Sequence, residues 1–183
     1  GEATTVLAGG VEQMSQIPYV ARQVRFGGVR MGNFELEDYM TSALTDAYSK
    51  TPMAITAENL GEKYGITRAE SDQFSISSQQ RFDAAFKKGY FNQEIASVTM
   101  ETKKGPVVIS KDEHPKPEST LEKISTLKAL FKKDGLVTAA SASGIVDGAA
   151  MSLLMSESKA KELNLKPMAR ILSWASVGCE PTI

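Results

Sequence analysis

The sequence contains one histidine, His114, and one cysteine, Cys179, and this pair bounds the nucleophilic chemistry its side chains could do. Cys179 lies in "VGCEP", a turn following a strand-like run, with no activating features nearby. His114 lies in a polar loop rich in proline and reads as solvent exposed. A metal site would need companions at ligand spacing, and none are present. The carboxylate pairs Glu35/Glu37 and Asp112/Glu113 read as solvated surface. There is no P-loop, and Gly9–Gly10 is not a dinucleotide fingerprint. What remains is "DGLVTAASASGIVDGAA", Asp134 to Ala150, crowded with Gly, Ala, Ser and Thr. Small side chains let a ligand lie close to the backbone, where amide groups can bond to it, and Ser141 and Ser143 add hydroxyls. Close helix–strand packing uses small residues equally well, so residue type alone leaves both readings open.

The elements that must position this run can be read from periodicity. Thr4–Ala8 is an apolar strand-like run closed by Gly9–Gly10. Residues 16–33 mix Pro, Gly and Arg without period and read as a long loop. Leu36, Tyr39, Met40, Ala43, Leu44 and Ala47 recur at helical spacing. A second helix is expected from about Ala54 to Tyr64, ending at Gly65. Thr67 with Glu70 is a capping-box pattern that opens a third helix, on which Phe74, Ser78, Phe82, Ala85 and Phe86 share a face. Val98–Glu101 and Val107–Ser110 flank "TKKGP" as a hairpin. Residues 111–119 form an exposed loop, and Thr120–Leu127 a short helix. After the small-residue run, Ala149–Met155 reads as a strand, Ser158–Leu163 as a helix and Ala169–Val177 as a last strand. A helix-rich middle between sheet-containing parts implies an α/β architecture.

Composition agrees with a folded domain: 183 residues, 42% hydrophobic and 23% charged, with a formal net charge of -1. Near-neutral charge offers no electrostatic basis for nucleic-acid or membrane-surface partners. No apolar run approaches the roughly 20 residues needed to span a bilayer. Both ends read as cut, with strand-like runs beside them, so the expectation is an internal fragment.

Four stretches then carry a resemblance. "LAGGVEQMSQIPY" resembles the thiolase segment AGGMESMSxxPY. "LTDAYSKTPMAITAENLGEKYGITRAESDQFSISSQQR" resembles the stretch of that family containing MxxTAEN and an SQxR-like helix. "KKDGLVTAASASGIVDGAA" resembles GTVTAGNASGxxDGAA, and "ARILSWASVGCEP" resembles the strand and turn that follow. In order and at family spacing, they make the chain similar to an internal piece of a thiolase, of the mitochondrial 3-ketoacyl-CoA type in particular.

That resemblance implies an α/β thiolase-fold fragment. Residues 1–33 would end the N-terminal half, 34–148 would be the helix-rich loop domain that binds coenzyme A, and 149–183 would begin the C-terminal half. It implies an acyl-CoA C-acyltransferase that cleaves 3-ketoacyl-CoA with CoA in fatty acid beta-oxidation. Coenzyme A would be a substrate, with no other cofactor. Homo-oligomers and a mitochondrial matrix location are implied on the same ground. Leu44 and Met53 would line the acyl and pantetheine tunnel. Lys116 would meet the nucleotide end of CoA, Phe131 would pack near the adenine, Ala139 and Ser143 would meet the pantetheine amides, and Ile145 would add an apolar contact. The catalytic Cys, His and second Cys of the family match no position here, so no catalytic or metal-binding residue is expected. The piece alone is expected to be inactive, and the rival reading is a non-catalytic CoA- or acyl-binding protein derived from a thiolase. One departure concerns the binding loop: the family's Gly-Asn pair is Ala140–Ser141, which would restrict the backbone if that position required positive φ.

Overall fold

The computed structural model describes residues 3–183. In chain order the elements are β1 (Thr5–Gln13), β2 (Tyr19–Val20), β3 (Glu37–Asp38), α1 (Tyr39–Ala43), α2 (Met53–Tyr64), α3 (Arg68–Lys87), β4 (Val98–Thr102), β5 (Gly105–Ile109), α4 (Leu121–Ser125), β6 (Asp147–Met155) and α5 (Glu157–Glu162). Helices and strands are both present, with the two longest helices, α2 and α3, lying between strand-containing segments, as an α/β chain allows. They fall into two compact units, one comprising residues up to Thr45 with Ile145–Pro181, the other Asp46–Gly144 with Thr182–Ile183. Among the described residues, no helix is long and apolar enough to cross a membrane.

The first unit is built on an antiparallel pair, β1 with β6, in a register running from Thr5 opposite Met155 to Gln13 opposite Asp147. The strand expected to stop at Gly9–Gly10 instead continues through both glycines. Gly9 stands opposite Met151, and a side chain there would collide with the Met151 sulfur, so the missing Cβ permits the pairing rather than ending it. The open end of the pair is tied by Asp147, whose carboxylate accepts from the Ser15 amide (2.9 Å) and hydroxyl (2.5 Å). These bonds hold the Asp147 carboxyl below its ordinary pKa.

The helix expected over Leu36–Ala47 is only five residues long. Glu37 and Asp38 are drawn into an antiparallel bridge with Tyr19–Val20, and Arg22 grips Glu37 through two hydrogen bonds. The Asp38 carboxylate then caps α1 by accepting from the Met40 amide at 3.0 Å. At the far end Leu44 closes the helix. Ala169–Val177 forms no strand. A strand is defined by a hydrogen-bonded neighbour, and none pairs with this run among the described residues; Leu172 and Trp174 are more than 80% exposed.

In the second unit, α2 ends at Gly65 in the left-handed region (φ 65°). The Thr67–Glu70 capping box forms as the sequence predicts, with the Glu70 carboxylate accepting from the Thr67 amide at 2.7 Å. The inward face of α3 carries Asp72 and Ile76, not Phe74, which is exposed. Two residues advance a helix by about 200°, so Phe74 and Ile76 face opposite ways. Phe82 stacks on Phe86 and Phe91 with ring centroids 5.9 and 5.3 Å away. Arg68 joins α3 to α4: its Nε donates to Asp72 at 2.9 Å, and its Nη2 donates to the carbonyls of Ile124 (3.0 Å) and Leu127 (2.9 Å). Ile124 is buried under this bridge. The hairpin β4–β5 pairs from Val98 opposite Ile109 to Thr102 opposite Gly105 and turns at Lys103–Lys104.

Candidate functional site

The small-residue run enters the second unit through an Asp134–Gly135 turn, with Asp134 at φ 56°. Beneath that turn lies Glu58 of α2, only 3% exposed. Its carboxylate accepts from the amides of Leu136 (2.7 Å) and Val137 (2.8 Å). An ionised carboxylate accepting from backbone N–H groups makes a strong anchor. Gly135 has to be glycine here, because a Cβ would run into that carboxylate. A second link lies on the surface, where Lys132 pairs with Glu62 of α2 at 2.8 Å. Hydrogen bonding and charge attraction between them raise the Lys132 pKa and lower that of Glu62. Sequence reading missed Glu58, which sits in "TAEN" and looks like any polar helix residue. Nothing in that local stretch signals a partner 78 positions away.

Residues 138–142 then form an internally hydrogen-bonded turn. Thr138 is fully buried, and its amide donates to the Ser141 hydroxyl at 2.9 Å. The Ala142 amide donates to the Thr138 carbonyl at 2.9 Å, and the Ala140 amide to the Thr138 hydroxyl at 3.2 Å. Ser141 therefore spends its hydroxyl inside the loop rather than offering it outward. Ala139 and Ser143, by contrast, are exposed. Ala140 is not among the described non-glycine residues with positive φ, so alanine carries no backbone strain there. The close-packing and ligand-facing readings of the run thus apply to different residues: Thr138 and Ser141 hold the turn together, while Ala139 and Ser143 face outward.

Beside this turn runs the loop 111–117. Asp112 accepts from the His114 amide at 3.0 Å, and Gln79 of α3 accepts from the Lys116 amide at 2.8 Å. Lys111 lies over the Phe86 ring, 5.4 Å from its centroid. Phe82, Phe86, Lys111, Asp112, Pro115 and Pro117 line a hollow of about 270 Å³, and the two prolines flank Lys116. His114 is exposed, as its sequence context predicts, yet its ring packs on Gly144 so closely that a Cβ there would overlap it.

Of the seven residues singled out from sequence, Met53, Lys116, Phe131, Ala139 and Ser143 belong to this unit, and Leu44 and Ile145 belong to the other. All seven are exposed. Met53 opens α2 at 62% exposure, and Leu44 is the C-cap of α1, so neither is the core residue that helical spacing alone would suggest. Cys179 and His114 fall in different units. Among the described residues, no group of three His, Cys, Asp or Glu side chains could hold a metal.

Residues 1–158 match the family model described as "Thiolase, N-terminal domain". The chain is 47% identical over 182 residues to the mitochondrial 3-ketoacyl-CoA thiolase of Mus musculus, matching all of this chain and 46% of that protein. It is 49% identical over 185 residues to a probable acetyl-CoA acyltransferase of Staphylococcus aureus, again over all of this chain and 47% of the relative. Among solved structures, human mitochondrial 3-ketoacyl-CoA thiolase in complex with CoA superposes on 99% of the chain with a TM-score of 0.87 at 46% identity. The chain spans about half the length of the relatives it matches.

Proposed function

Because this chain belongs to the thiolase family, we propose that it forms the CoA-binding part of an acyl-CoA C-acyltransferase that cleaves 3-ketoacyl-CoA in fatty acid beta-oxidation. In that reading residues 34–148 act as the lid over the coenzyme, and 1–33 and 149–183 belong to the two α/β halves. Ala139 and Ser143 meet the pantetheine amides, Ile145 adds an apolar contact, and Leu44 and Met53 line the acyl tunnel. Lys116 meets the phosphates of the nucleotide end, where an ammonium is a good partner for phosphate oxygen. Phe131 packs near the adenine.

The observation that supports this most strongly is the arrangement of the 138–143 turn. The Thr138, Ala140, Ser141 and Ala142 amides are bonded to Thr138 and Ser141 within the turn, while Ala139 and Ser143 are exposed and available to a ligand. The likeness to a thiolase solved with CoA adds independent support.

The chain supplies binding rather than bond breaking. In the complete protein a Cys thiolate attacks the 3-keto carbon, and the bond between the α and β carbons breaks. Acetyl-CoA leaves after its carbanion takes a proton, and the thiolate of a second CoA accepts the acyl group. The complete protein assembles as a homo-oligomer in the mitochondrial matrix.

The test is a pair of measurements. Calorimetric titration of residues 1–183 with CoA should show saturable binding. Thiolysis of acetoacetyl-CoA should be seen with the complete protein and be absent with residues 1–183. Turnover by the 183-residue chain above a heat-killed control would overturn the division of labour. No CoA binding by either form would overturn the assignment itself.

A further inference from the structure

The contact between His114 and Gly144 joins two loops that the CoA reading places at different parts of the ligand. Loop 111–117 carries Lys116, and the 138–144 segment carries Ser143, one residue before Gly144. Each is fixed at its root by separate anchors: Gln79 and Asp112 for the first, Glu58 and Thr138 for the second. At their tips the two meet through the His114 ring. The three atoms nearest a Cβ built on Gly144 all belong to that imidazole. The contact therefore involves one side chain, and a Cβ at residue 144 would displace its exposed ring.

We infer that His114 is a positioning residue for CoA: its ring, seated on Gly144, fixes the distance between the Lys116 loop and the Ser143 turn. This rests on the CoA reading above. The two loops hold opposite ends of one ligand, and a ligand held at two points gains affinity only if the points are spaced to suit it. Losing the spacer should thus weaken CoA while sparing a fragment that touches one loop.

The experiment uses the full chain with CoA and with pantetheine as probes, for the wild type, His114→Ala, His114→Asn, Gly144→Ala and the His114→Ala/Gly144→Ala double variant. Thermal melts confirm that each folds; His114 is exposed, so its truncation opens no buried void. The expected result is that His114→Ala and His114→Asn raise the Kd for CoA about tenfold and leave that for pantetheine unchanged. Gly144→Ala weakens both ligands, because its methyl forces the ring and the turn apart. Removing the ring in the double variant restores pantetheine binding and leaves CoA at the level of His114→Ala. A merely structural histidine would shift both ligands together, which would overturn the inference, as would a double variant no better than Gly144→Ala for pantetheine or His114 variants with unchanged CoA affinity. If the wild type binds CoA in those cases, the CoA reading survives. If the wild type binds no CoA, both fail.

Discussion

The Glu58 carboxylate and the Leu136 amide lie 2.7 Å apart, although 78 residues separate them in sequence. That bond, with its neighbour to Val137, hangs the small-residue turn from α2. Glu58→Ala leaves two amides without acceptors in a largely buried position, which should cost about 2–5 kcal/mol. Glu58→Gln keeps the shape but points an NH2 at one donor, and should lose about half as much. Denaturant unfolding measures the cost, and amide exchange should show Leu136 and Val137 losing protection first. Unchanged exchange at these two amides in Glu58→Ala would refute the anchor.

Arg68 should be equally sensitive. Asp72 is 2% exposed and has Arg68 as its ionic partner. Removing one member of a buried pair leaves an uncompensated charge, at about 3–5 kcal/mol. Arg68→Met should therefore be strongly destabilising. Arg68→Lys should not restore stability, because an ammonium cannot bond Asp72 and two carbonyls in the geometry of a planar fork. Urea melts of both variants check this, and a lysine variant at wild-type stability would count against it.

Asp147 predicts a pH dependence. Its folded pKa lies below the ordinary 3.8, chiefly because the Ser15 hydroxyl and amide bond to the ionised form. A depressed carboxylate stabilises the fold above its unfolded pKa and loses that contribution as pH falls through the folded value. Asp147→Asn should thus be less stable than the wild type at neutral pH and match it in strong acid. Denaturation at a series of pH values from neutral downward would show the two converging below the ordinary carboxylate range; a constant gap would sink the assignment.

Ser143 and Lys116 give the functional prediction. Ser143→Ala removes one hydrogen bond worth about 1 kcal/mol, or roughly a fivefold rise in the CoA Kd at any ionic strength. Lys116→Ala should weaken CoA by a similar factor in dilute buffer and by less as salt is added, because an exposed charge pair is screened. Titrations at low and high salt separate the two, and a salt-independent Lys116 effect would remove it from the phosphate end.

Much of the fold was legible from local pattern. Thr67 with Glu70, the hairpin around Lys103–Lys104, the α2 stop at Gly65 and the Ala149–Met155 strand depend on residues close in sequence, and all appear. The errors arose where a distant partner decides. Leu36–Ala47 has helical spacing, but Glu37 and Asp38 were claimed by Tyr19–Val20. Gly9–Gly10 resembles a stop until Met151 is placed opposite it. Phe74 looks like core until Asp72 and Ile76 take the inward face.

The amino-acid sequence by itself determined the family of this chain, its α/β succession of elements and the small-residue turn, because motif order and periodicity are properties of neighbouring residues. Only the tertiary structure decided what each small residue is for. Gly135 makes room for Glu58, Gly144 makes room for His114, and the Ser141 hydroxyl is bonded within the turn while Ser143 is exposed. Those roles depend on which atoms approach from elsewhere in the chain, and residue spacing carries no record of that approach.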